Sequence, residues 1–239
     1  MKKQFSGILV AALALAGVMG TSTKADAAFF AAICNDVSCA GGDDFIIQDN
    51  AAQDTIATVG AINFSTSAFG YSLAVNTSQS KPVIGSASQP QLDLTFSATT
   101  ATGAPGGNIF LYASDTDFLG AHAFLLTLGG TNSGGSGMVT GRAWGGTSNT
   151  ALLFSGANLL GTVGPLSGSF YSGGVTGTLT PAVNPYSLTI GVAVNRTTGG
   201  TTTGDLNLAV PEPASMTLFG LGLMGFGVAS RRRKANQAK

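Results

Sequence analysis

Residues 186–195 read Tyr-Ser-Leu-Thr-Ile-Gly-Val-Ala-Val-Asn, and no other feature constrains the fold of this chain as strongly. Leu188, Ile190, Val192 and Val194 fall on one side of an extended backbone, with Ser187, Thr189, Gly191 and Ala193 on the other. Successive side chains on a strand point to opposite faces, so this alternation predicts a half-buried β-strand. The same period of two recurs at 71–75, 92–96, 108–112 and 205–208. Turn-rich breaks separate these runs at 102–107, 129–137, 145–149, 164–168 and 197–204, where Gly, Ser, Thr and Asn concentrate. No stretch of residues 28–209 combines an N-cap, good helix formers and an apolar stripe of helical period. The expectation is an all-β body, an antiparallel β-sandwich or a jelly roll. A solenoid is disfavoured, since no fixed repeat of about 20–50 residues is visible. Residues 121–128 hold the apolar run Phe124-Leu125-Leu126 without a cap on either side and are assigned to a strand.

The two ends of the chain follow different rules. Lys2-Lys3, an apolar run from Ile8 to Met19 and the small-residue site Ala25-Asp26-Ala27 make a secretory signal peptide over residues 1–27. Its apolar run is about a dozen residues, shorter than the roughly 20 that a spanning helix needs. Residues 210–239 hold Pro211-Glu212-Pro213, an apolar stretch from Ala214 to Ala229, and the basic cluster Arg231, Arg232, Arg233 and Lys234. At about 1.5 Å per residue the stretch makes roughly 24 Å of helix, enough for a marginal membrane crossing with flanking residues drawn in. The basic cluster acts as a stop-transfer signal and stays cytoplasmic, which places the body outside.

This order of motif, Gly- and Leu-rich apolar helix and Arg cluster resembles the PEP-CTERM sorting domain, whose hallmark stands here as Pro211-Glu212-Pro213. The resemblance implies recognition by an exosortase, an integral-membrane protease of the cysteine transpeptidase kind, which removes the tail and passes the protein to the surface. It also implies a Gram-negative bacterium that makes exopolysaccharide. The implied partners are signal peptidase, the secretion machinery, the exosortase, the inner membrane before processing, and extracellular polysaccharide. The two prolines fix φ and withhold donors, so Glu212 stands in an extended segment at the membrane face. The body is similar to uncharacterised members of the same group in the runs 34–39, 43–45, 81–88 and 114–118, which implies a shared β-rich body without a known activity.

Between the ends, residues 28–209 suffice for one domain with a buried core. Its cations are Lys81, Arg142 and Arg196, against nine aspartates and no glutamate, which leaves the body at −6. So sparse a set of cations makes no footprint for a phosphate backbone and excludes nucleic acid. Cys34 and Cys39 are the only cysteines; in an exported chain the pair reads as a disulfide, while zinc would need two further ligands from a chain with one histidine.

Catalysis has little to work with. The body lacks the paired glutamates of many glycosidases, and a Ser-His-Asp site would have to use His122, which stands beside an apolar run and reads as a strand-end residue. The leading expectation is therefore a non-catalytic structural or adhesive domain at the cell surface or in the exopolysaccharide matrix, with no required cofactor. An alternative is a glycan- or calcium-binding module. Asp43 and Asp44, with Asp115 and Asp117, supply the hard oxygen ligands that Ca²⁺ takes, although such aspartates also cap turns. Trp144, the only tryptophan, lies near a Gly-rich turn and is either a core anchor or a sugar-stacking residue. A second alternative, a secreted hydrolase, would rest on Asp pairs.

Overall fold

The computed structural model describes residues 28–101, 106–135, 137–154 and 158–210. The signal peptide, Pro211-Glu212-Pro213, the apolar helix and the Arg231–Lys234 cluster lie outside the described residues. Among the described residues no helix is long and apolar enough to cross a membrane.

Twelve strands form the body: β1 Phe30–Cys34, β2 Phe45–Gln48, β3 Ala61–Ala68, β4 Tyr71–Gln79, β5 Gln91–Thr100, β6 Gly107–Phe118, β7 His122–Ser133, β8 Gly137–Gly145, β9 Leu159–Ser167, β10 Phe170–Leu179, β11 Tyr186–Arg196 and β12 Gly200–Ala209. They pair antiparallel into two six-stranded sheets, the first in the order β2-β1-β6-β11-β8-β9 and the second in the order β10-β7-β12-β5-β4-β3. Strands β5 to β12 alternate between the sheets as 5-12-7-10 against 6-11-8-9, the strand order of a jelly roll made of two Greek keys. The hairpins β1–β2 and β3–β4 extend the two sheets beyond β6 and β5. Of the two expected architectures, the jelly-roll order is the one adopted.

The alternation seen in the sequence builds the core. Leu92, Leu94, Phe96 and Ala98 on β5, Leu206 and Leu208 on β12, and Phe124, Leu126 and Leu128 on β7 face Leu188, Ile190, Val192 and Val194 on β11 and Ile109 and Leu111 on β6. Each such Leu, Ile, Val or Phe side chain contributes about 1.5–3 kcal/mol when withdrawn from water.

Several details differ from the sequence expectation. Residues 129–133, 164–167 and 200–204 fall in the expected breaks but belong to β7, β9 and β12, and Gly107, Gly137 and Gly145 likewise belong to the ends of β6 and β8. Gly130 and Gly204 make room in the interior: a Cβ on either would meet the Tyr171 hydroxyl at 2.5 and 2.6 Å, so glycine here serves packing and not a turn. Strand β11 is buried on both faces instead of one. Its outer face is covered by a second apolar cluster of Ala32, Cys34, Tyr112 and Trp144, with Cys39, Phe110, Leu152 and Phe154 packed against it. The Cys34–Cys39 disulfide anchors that layer, and the Tyr112 hydroxyl donates to the Val37 carbonyl at 2.9 Å inside the loop that the disulfide closes.

Candidate functional site

The residues singled out from sequence fall in separate places. Asp43 lies in the exposed loop before β2, beside the half-buried Asp44, whose Oδ2 accepts the Gly41 amide at 2.8 Å. Asp115 lies within β6, not after it, with its side chain fully buried against Lys81. Asp117, at φ 63°, holds Asn149 through its Oδ1 at 2.8 Å. Among the described residues no three His, Cys, Asp or Glu side chains are grouped as metal ligands would be. His122 begins β7, its Nε2 2.7 Å from the Leu119 carbonyl. Trp144 is a core residue, 5% exposed and packed between Tyr112 and Phe154 at ring distances of 5.9 and 5.6 Å. It presents no face to a sugar.

A different surface has the makings of a site. On β5, β12, β7 and β10 the positions that alternate with the core residues point outward, and the strand register sets them in rows. One row runs Thr99, Thr201, Ser133; the next Ser97, Thr203, Thr131, Phe170; the next Thr95, Asp205, Gly129, Ser172; and the fourth Asp93, Asn207, Thr127, Gly174. Strands lie about 4.8 Å apart and like-facing residues about 7 Å apart along a strand, so hydroxyl, amide and carboxyl groups form a regular polar plane.

Cross-strand pairs hold these groups in place. Thr99 and Thr201 hydroxyls meet at 2.9 Å and Thr131 and Thr203 hydroxyls at 2.8 Å. The Asn207 amide donates to Asp93 Oδ1 at 3.2 Å, and the Thr95 hydroxyl to Asp93 Oδ2 at 3.3 Å. Burial first, and then the neighbouring Asp205 carboxylate, push the Asp93 carboxyl up to about 6. Gly129 and Gly174 carry no side chain, which opens a shallow groove of about 490 Å³ floored by them and rimmed by Thr127, Ser172, Asp205 and Asn207.

Phe170 stands at the edge of this plane. It is 84% exposed, the most exposed large apolar side chain among the described residues, whereas its neighbour Tyr171 points into the core. None of the body's three cations is on the plane: Lys81 and Arg196 are buried and Arg142 is on β8 of the other sheet. Sequence reading missed this face. Its residues are the polar half of each alternating strand, and only the pairing of β10, β7, β12 and β5 sets them beside one another and beside Phe170.

Comparisons with known proteins give one assignment and several slight likenesses. No curated protein matches this sequence. Among solved structures, the enzymatically active domain of Bacteriophage CBA120 tailspike protein 4 is 11% identical with a TM-score of 0.33, over 59% of this chain and 19% of that one. The chain thus spans about a fifth of the length of that tailspike. TmCBM61, solved with beta-1,4-galactotriose, is 8% identical with a TM-score of 0.31, over 62% of this chain and 86% of that one. A carbohydrate-binding module of the β-sandwich superfamily is 11% identical with a TM-score of 0.32, over 68% and 65%. Likenesses this slight carry no inference about function. The tail is another matter: residues 209–234 match the PEP-CTERM protein-sorting motif, so this chain is an exported protein with a C-terminal sorting signal that an exosortase processes.

Proposed function

We propose that the body is a non-catalytic adhesive module that docks extracellular polysaccharide on the outer plane of β5, β12, β7 and β10, retaining the sorted protein at the cell surface or in the matrix. The observation that supports it most is Phe170, 84% exposed at the edge of rows of fixed hydroxyl, amide and carboxyl groups. An aromatic ring left in water stacks on the apolar face of a sugar, and the polar rows exchange hydrogen bonds with its hydroxyls. The plane is open and its titratable groups are Asp93 and Asp205, an inventory suited to holding a chain and not to excluding water around a reacting bond.

Affinity electrophoresis through gels that contain the producing cell's own exopolysaccharide tests this reading. The mature protein should be retarded, and Phe170→Ala should lose about tenfold in affinity, the scale of one stacking contact, without a change in melting temperature. Equal mobility with and without polysaccharide would overturn it.

A further inference from the structure

Lys81 and Asp115 meet in the interior. Lys81 Nζ lies 2.8 Å from Asp115 Oδ2, with the two side chains 8% and 0% exposed. The Phe118 ring centroid is 4.2 Å from Nζ, and the Thr116 carbonyl is a second acceptor for the same nitrogen. The Ser80 hydroxyl donates to Asp115 Oδ2 at 2.5 Å, and the Thr116 amide donates to Oδ1 at 2.7 Å. The two partners come from different sheets, Lys81 from the segment that leaves β4 and Asp115 from β6. Ser80 is pinned to Gly60 by a backbone bond of 2.9 Å, and Gly60 packs so tightly on the Lys81 carbonyl that a Cβ would come within 2.5 Å. Nucleophile and carboxyl are therefore fixed in contact.

We propose that Lys81 and Asp115 are the two ends of an intramolecular isopeptide bond, a covalent strut between the two sheets. Taking two charges out of water is costly even when both are hydrogen-bonded, and transfer of one proton across the contact removes both charges, leaving an amine beside a carboxylic acid. Burial pushes the Asp115 carboxyl up, against the opposing pull of Lys81, which favours that neutral acid. Asp49, whose amide partner is Gly60 at 2.7 Å, feels the charge of Asp115 and adds negative field on the same side. The Nζ lone pair attacks Asp115 Cγ. The C–N bond forms, the C–O bond to Oδ2 breaks, and a proton from Nζ passes to that departing oxygen, which lies 2.8 Å from Nζ and also accepts from the Ser80 hydroxyl. One water leaves, and no oxidant, reductant or co-reactant is consumed. The apolar wall of Phe118 keeps solvent from reversing the condensation.

The test is mass spectrometry of a chymotryptic digest of the full chain, expressed with its export signals and recovered from cells. The expected result is a single joined species that carries Lys81 and Asp115, lighter by one water than the two peptides together. It should be absent from Lys81→Arg, which keeps a cation beside Asp115 but forms no amide. Separate peptides at their full masses in the wild-type digest would overturn the proposal, as would a joined species that persists in Lys81→Arg. Peptide-level masses do not depend on how either end of the chain is processed, so neither result is confused with sorting.

Discussion

Asp93 shows how one side chain sets a pH dependence. The unfolded chain gives up this proton near 3.8, whereas the folded carboxyl, pushed up by burial and by Asp205, holds it to about 6. Between those values the native state binds more protons than the unfolded one, so stability falls as pH rises through that window. Allowing for solvent screening of a half-buried group, the loss is about 1–2 kcal/mol. Asp93→Asn keeps an acceptor for Asn207 and removes the titration. Thermal melts should show the variant more stable at pH 7 and with a shallower loss of stability between pH 4 and 6, and a parallel pH profile in variant and wild type would refute the assignment. Nothing in the sequence marked Asp93, since its environment comes from Asn207 and Asp205 on a strand more than a hundred residues away.

Strand β11 was legible from its alternation, and its inward residues are as the sequence predicts. Its outward residues are not, because a second layer lies over them. Gly191 faces that layer: a Cβ there would come 2.2 Å from the Tyr112 ring and 3.2 Å from Trp144. Gly191→Ala is expected to cost about 1–3 kcal/mol as overpacking, read as a lower urea midpoint with an unchanged slope. The loop between Cys34 and Cys39 anchors the same layer. Replacing both cysteines by serine releases a closed loop of few residues and should cost about 2 kcal/mol, with Trp144 emission moving to longer wavelength as the layer loosens. An unchanged emission maximum would mean that Tyr112 and Phe154 hold Trp144 without the disulfide. Strands β8, β9 and β10 carry no plain apolar alternation, because glycines interrupt it, and the breaks expected at 129–137, 145–149 and 164–168 cut into the ends of β8 and into β9. In the fold Gly141 on β8 makes room for Leu206, and Gly161 on β9 and Gly177 on β10 for Phe124.

At the scale of the whole molecule, the address and the body are separable. Intact mass of the protein from its native cells, taken on membrane and extracellular fractions, should give an extracellular species that starts near Ala28 and lacks Arg231–Lys234. A chain that runs to Lys239 and is confined to membranes would leave an anchored protein that the exosortase does not release. The sequence by itself determined what depends on short-range pattern: export signals read linearly by other proteins, the all-β class from period-two alternation, and the Cys34–Cys39 pairing from scarcity and compartment. Tertiary structure alone decided the jelly-roll order, the burial of Trp144, the Lys81–Asp115 contact and the polar plane beneath Phe170. Each of these joins residues far apart in the chain, and such pairings depend on register and crossover between sheets, which no local spacing encodes.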